Sequence, residues 1–330
     1  MAAGGGTGRR TLLGSAAAAA AFATARRPRA QPQSWPQRSV RVVVPYAPGG
    51  GADTVARILF GKLNEILGAS FVIENRAGGA GTIGAAAVAQ APPDGYTLLH
   101  DATAFSVNPA LFEKLPYDTA RAFRPVFLAA RVPNLLLVNP EVPARTVPEV
   151  VALGKATPGG LDFASAGNGS VQHMALVMFG RAAGIQVNHI PYRGGGPALA
   201  DLIAGQVRFF FSNATASTGH AKSGRVRAVA HTGTRPIAAF PELPAVADTF
   251  PGFEAYEWNG VLAPAGVPEE VVRRLSEGLN TAIRDPGVAE RLVGLSVEAE
   301  PNTPEEFAGF LRKETEKWGR VVREAGIKPD

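Results

Sequence analysis

Val42-Val43-Val44-Pro45-Tyr46-Ala47-Pro48-Gly49-Gly50-Gly51-Ala52-Asp53 carries an apolar strand into a glycine-rich turn, and Thr54 to Leu67 behind it has helical periodicity. Glycine lets backbone approach a ligand closely, and the first turn of a helix leaves N–H groups unpaired with partial positive charge. The stretch therefore reads as an anion site made of backbone. No lysine follows the glycines, which removes the GK[ST] ending of a nucleotide-binding P-loop. The competing reading is a tight strand-to-helix connection with Asp53 as its N-cap.

Working outward, short apolar strands alternate with helical segments. Val40 to Pro45, Phe71 to Ile73, Tyr96 to Leu99 and Val126 to Leu128 read as strands, with helices at Thr54 to Leu67 and Ile83 to Gln90. A second series of such units runs from Leu135 to Ala230, with strands at Asp162 to Ala164, Val187 to Ile190 and Val207 to Phe211 among them. This alternation predicts an α/β fold on a mostly parallel sheet. From Gly260 onward the chain reads as helical. Pro268 opens one helix, and Thr303-Pro304-Glu305-Glu306 is a capping box before an apolar stripe of Phe307, Phe310, Leu311, Trp318, Val321 and Val322. Packing that tail on the first sheet predicts a discontinuous first domain, 38–133 plus 260–330, around a second, 134–259, with two crossings that suit a hinge.

Residues 1–30 stand apart. Arg9-Arg10-Thr11-Leu12-Leu13 precedes an alanine run from Ala16 to Ala23 and a basic patch ending at Ala30, the order of a secretory signal, with paired arginines that suggest twin-arginine export. The apolar run is too short for a membrane span. The chain has 33 basic and 28 acidic residues, and five arginines lie in this segment, which leaves 28 against 28 beyond it. That balance, with no basic stripe interleaved with aromatics, argues against nucleic acid as a partner. There is no cysteine, so disulfides and thiol chemistry are excluded.

Ser165-Ala166-Gly167-Asn168-Gly169-Ser170 repeats the strand, turn and helix-start arrangement, so two helix starts would face one cleft; Ser170 also suits an N-cap role. Neither serine lies in G-x-S-x-G, which speaks against hydrolysis. Gly79-Ala80-Gly81-Thr82-Ile83-Gly84 matches a dinucleotide fingerprint in letters, but its strand ends too early and Pro92-Pro93 truncates its helix. The histidines, His100, His173, His189, His220 and His231, lack metal-ligand spacing, and His173 alone falls where it could border the cleft. No catalytic set, metal or cofactor is expected.

Val43 to Asp53, Glu74-Asn75-Arg76-Ala77-Gly78, Pro93-Asp94-Gly95-Tyr96, Asn108-Pro109-Ala110-Leu111, Leu115-Pro116-Tyr117-Asp118, Pro191-Tyr192-Arg193-Gly194 and Leu262-Ala263-Pro264-Ala265-Gly266 together resemble the Bug-type receptors of tripartite tricarboxylate transport systems. The resemblance covers nearly all of the chain from Val40. It implies a two-domain periplasmic binding protein of type II, monomeric and not membrane-spanning, that closes on a small carboxylated solute and delivers it to membrane transporter subunits. A partnership with a membrane sensor kinase, or a periplasmic enzyme, is the alternative. The implied ligand-binding set is Tyr46, Ala47, Pro48, Gly49, Gly50 and Asp53 from the first turn and Ser165, Ala166, Gly169 and Ser170 from the second, with Thr103, His173 and Asn213 beside them. The family often has an Asp-Asn pair where this chain has Ser212-Asn213, a loss expected to disfavour ligands whose ammonium needs a countercharge.

Overall fold

The chain folds around one curled mixed sheet whose two halves share a long strand. The structure, a computed structural model, describes Met1 and residues 35–329, so the export segment expected at 1–30 lies outside the described residues apart from Met1. In the first half, β1 (Val40–Val44) pairs in parallel with β2 (Phe71–Asn75) and β3 (Thr97–Ala102). β3 then pairs antiparallel with β9 (Tyr256–Pro264), which pairs antiparallel with the front of β4 (Phe123–Val138). The back of β4 takes β7 (Phe209–Asn213) and β8 (Arg227–His231) antiparallel, and β7 leads in parallel to β5 (Leu161–Ser165) and β6 (Val187–Pro191).

Two elements differ from the sequence reading. Val126 to Leu128 and Leu135 to Val138 are parts of one strand, because Pro133 pairs with Tyr256 in the register between them and the strand passes directly from one sheet half to the other. Gly260 to Ala263 is no helical tail but the middle of β9, whose partners, β3 and β4, lie far away in sequence. A helix was also unread at α3 (Ala104–Leu111), which carries Pro109 in its interior, and another at α7 (Ala214–Lys222).

Helices cover both faces. α1 (Gly51–Leu67) buries Val55, Leu59 and Leu63 at helical spacing and ends on Gly68, whose left-handed φ of 61° closes the C-cap. α2 (Thr82–Ala89) follows a tight turn at Gly79–Gly81, where Gly84 packs so closely on Pro45 that a Cβ would overlap it. The glycines of the fingerprint-like stretch thus serve turn and packing. α4 (Val147–Ala156), α5 (Val171–Ala183) and α6 (Gly195–Ile203) belong to the second half, and α8 (Glu269–Arg284) and α9 (Pro286–Gly294) to the tail. α10 (Pro304–Ala325) begins with the expected capping box on Thr303 and Glu306. Its apolar stripe is core, and it serves both halves. Phe307 and Leu311 join Val43, Leu99 and Trp258, while Trp318 and Val322 join Val107, Phe179 and Phe211. Each fully buried aromatic in these clusters contributes roughly 1.5–3 kcal/mol. The result is that the ends of β1, β3, β5, β6 and β7 bring their following turns to one place.

Candidate functional site

A cleft of about 160 Å³ opens where those turns meet. Its first wall is the glycine turn. Tyr46, Ala47, Pro48, Gly49 and Gly50 line it, followed by Gly51 and Ala52 at the start of α1. The helix begins earlier than the sequence suggested, with Gly50 as N-cap in extended backbone (φ −74°, ψ 170°). Asp53 is therefore not the cap but a first-turn residue, and it stands behind the wall. Its Oδ2 accepts from Gly49 N–H and from Arg57 Nε, both at 2.9 Å, and its Oδ1 accepts from Asn75 Nδ2 at 2.8 Å. Burial pushes the Asp53 pKa up, but these donors outweigh it and hold the carboxyl below its ordinary value. Gly49 spends its N–H on this brace. The next N–H groups, those opening α1, have no intrahelical acceptor.

Tyr46 is oriented from the second row. Its hydroxyl donates to Asp101 Oδ1 at 2.7 Å, and the same oxygen accepts from Ala102 N–H at 2.8 Å. Asp101 is buried, and desolvation raises its pKa to about 7 against those two hydrogen bonds. Thr103 lines the cleft at the N-cap of α3, yet its Oγ1 is engaged in the backbone of β9, accepting from Trp258 N–H at 3.0 Å.

Ala166 and Ser170 line the opposite wall. Ser170 caps α5: its Oγ accepts from His173 N–H at 3.2 Å and donates to Gly167 O at 2.6 Å, so the hydroxyl shapes the loop. Ser165, Gly169 and His173 stand behind this wall. Ser165 is fully buried, with Oγ 2.5 Å from His189 Nε2 and accepting from Gly167 N–H. Gly169, at φ 72°, packs against Leu111 where a Cβ would overlap. The His173 ring stacks on His189 with centroids 3.8 Å apart, and burial, then His189, lowers its pKa to about 3. The stacked ring pair supports the loop from below.

Asn213, at the N-cap of α7, also lines the cleft, with Oδ1 accepting from Thr215 N–H and the buried Nδ2 amide beside Glu257. Gly51 comes so close to Asn213 that a Cβ would lie 2.9 Å from either amide atom.

Sequence reading missed a further wall, Gly194-Gly195-Gly196-Pro197, which opens α6 behind β6 and repeats the strand, glycine turn, helix pattern. Gly194 has φ 118°, a conformation suited to glycine. It also missed Gln172 and Glu257, whose side chains meet at the wall, Gln172 Nε2 donating to Glu257 Oε2 at 2.9 Å. Burial raises the Glu257 pKa, opposed by the amides of Gln172, Asn213 and Asn259. Five helix starts, those of α1, α3, α5, α6 and α7, thus line one cleft among the described residues. Their partial positive charges favour an anion without any cationic side chain. Among the described residues no cluster of three acidic or histidine side chains is arranged to hold a metal, and no helix is long and apolar enough to cross a membrane.

A curled α/β sheet with its helix starts gathered at one cleft is the architecture of a solute-binding protein, and solved structures similar to this one belong to that class. BugD, described as a periplasmic binding protein, superposes with a TM-score of 0.85 at 33% identity, covering 90% of this chain and 100% of its own. A Rhodopseudomonas palustris protein solved with adipate gives 0.87 at 32%, again over 90% and 100%. MatC from the same organism, solved with bound malate, gives 0.82 at 32% over 87% and 100%. The chain belongs to the tripartite tricarboxylate transporter receptor family, whose sequence pattern it matches over residues 55–327. It is a solute-binding receptor rather than an enzyme.

Proposed function

We propose that this receptor captures a small carboxylate in the cleft and hands it to the membrane subunits of a tripartite tricarboxylate-type transporter. The observation that carries the reading is the convergence of five helix starts on a cleft that no lysine, arginine or histidine among the described residues lines. Backbone N–H groups at these helix starts are donors placed for carboxylate oxygens. Adipate and malate in the two R. palustris relatives agree with it. In this reading residues 1–30 direct export to the periplasm by the twin-arginine route. The mature chain acts as a monomer. Two bodies, 38–133 plus 260–330 and 134–259, close on the ligand about the crossings in β4 and β9.

A thermal-shift panel tests capture. A ligand at a hundred times its Kd stabilises the bound form by about 2.7 kcal/mol, which raises Tm by several degrees in a chain of this size. A panel in which neutral sugars or cationic amines shift Tm and acids do not would overturn the carboxylate reading. Uptake in vesicles carrying the membrane subunits tests delivery; ligand-dependent sensor-kinase signalling with no uptake would replace it.

A further inference from the structure

Glu257 is the one carboxylate that lines the cleft among the described residues, and no cation lines it. It belongs to β9, between Tyr256 in the register of Pro133 and the buried Trp258, so its backbone is fixed by pairing to β4. Its side-chain partners are all neutral: Gln172 Nε2 donates to Oε2 from α5, and the amides of Asn213 and Asn259 lie beside it, so lone pairs are satisfied without charge being cancelled. A carboxylate in a partly dehydrated wall is costly without a countercharge. The five helix starts supply donors for one carboxylate of a ligand. A second ligand carboxylate in the same cleft would face Glu257 and repel it. A ligand that brings its own cation removes both penalties.

We propose that the cleft selects a carboxylate that also carries an ammonium group, an amino acid, with the helix starts holding the carboxylate and Glu257 receiving the ammonium. This rests on the receptor reading and narrows its ligand class. It also reverses the expectation drawn from Ser212. The acid absent from the end of β7 is replaced by one from β9, a strand joined to β7 only through β4. Glu257 becomes a specificity-determining residue. An amino acid fits this wall where an unsubstituted diacid does not.

Calorimetry on the purified protein tests this with acids matched in length: L-alanine, L-lactate and malonate as the short set, 4-aminobutyrate, 4-hydroxybutyrate and succinate as the long one. At one length at least, the amino acid should bind ten-fold or more tightly than both counterparts. Glu257→Gln should remove at least ten-fold of that affinity and leave the diacid's unchanged or improved, with the unliganded Tm recorded to establish folding. The wild-type ranking decides even if the variant does not fold. Diacids or hydroxy acids binding as well as the amino acids, or a folded Glu257→Gln that keeps the amino-acid preference, would overturn this inference alone. Failure of every acid in the two sets and in the thermal-shift panel would overturn the receptor reading, and this inference with it.

Discussion

Gly50→Val separates a binding turn from a mere connection. Gly50 lies in extended backbone that any residue adopts, and a Cβ there meets only Ala47 O, at 3.6 Å. The folding cost is then that of a poorer N-cap, about 1 kcal/mol or less, a Tm change of no more than about 4 °C. The cost in binding is of a different size. Three added heavy atoms project from a residue that lines the cleft, next to the N–H groups of Gly51 and Ala52. Losing two hydrogen bonds to a charged acceptor, at roughly 1.5–3 kcal/mol each, weakens binding by about 10²- to 10⁴-fold. Calorimetry with the acid that gives the largest thermal shift, paired with circular dichroism melts, measures both quantities. A folded Gly50→Val variant of unchanged affinity would mean that the turn only connects β1 to α1 and that the ligand is held elsewhere.

Ser170→Ala should lower stability by about 1 kcal/mol through the lost cap while weakening binding only a few-fold, because the hydroxyl is already bonded to Gly167 O and His173 N–H; a loss beyond a hundred-fold in calorimetry would assign Ser170 a direct contact. Gly260→Ala places a methyl inside the Phe307 ring and should cost about 1–3 kcal/mol in urea unfolding, with ligand affinity retained at 25 °C. Asp101 titrates near pH 7 in the fold against 3.8 ordinarily, so the folded state holds its proton more tightly: its contribution is full below pH 3.8 and is lost as pH rises to 7, on the order of 4 kcal/mol. Asp101→Asn should flatten the stability profile between pH 4 and 7, and an unaltered slope in urea melts across that window would refute the assignment.

What could be read from the residues follows how local the determining contacts are. The glycines of the first turn, the Ser170 cap and the Thr303 box are local features that the sequence displays directly, whereas Asp101 and Asn75, which hold Tyr46 and Asp53, lie far off in sequence. β9 was unreadable because the partners of Gly260 are Asp101 and Leu128, which no local period reveals. Glu257 was hidden for the same reason. A charged residue between Tyr256 and Trp258 has the look of a solvent-facing strand position, and only the pairing of β9 with β4, together with Gln172 from α5, turns it into cleft wall. The glycines before α6 did carry a usable signal, the third repeat of one pattern. Roles within the turns were less legible than their positions: Asp53, Ser165, Gly169 and His173 brace the backbone, since what a side chain bonds to depends on the packed loop.

The insertion of β9 between β3 and β4 has a consequence for the nascent chain. Until residues 256–264 are synthesised, β3 and the front of β4 lack the strand that joins them, and each presents a row of unpaired N–H and C=O groups. The strands of the second half are all encoded before that point, from β4 to β8. Synthesis therefore completes the middle of the protein first and leaves its amino-terminal half with open edges until the last quarter of the message is read. A chaperone that holds those edges during that interval would protect the part of the molecule that carries the first glycine turn.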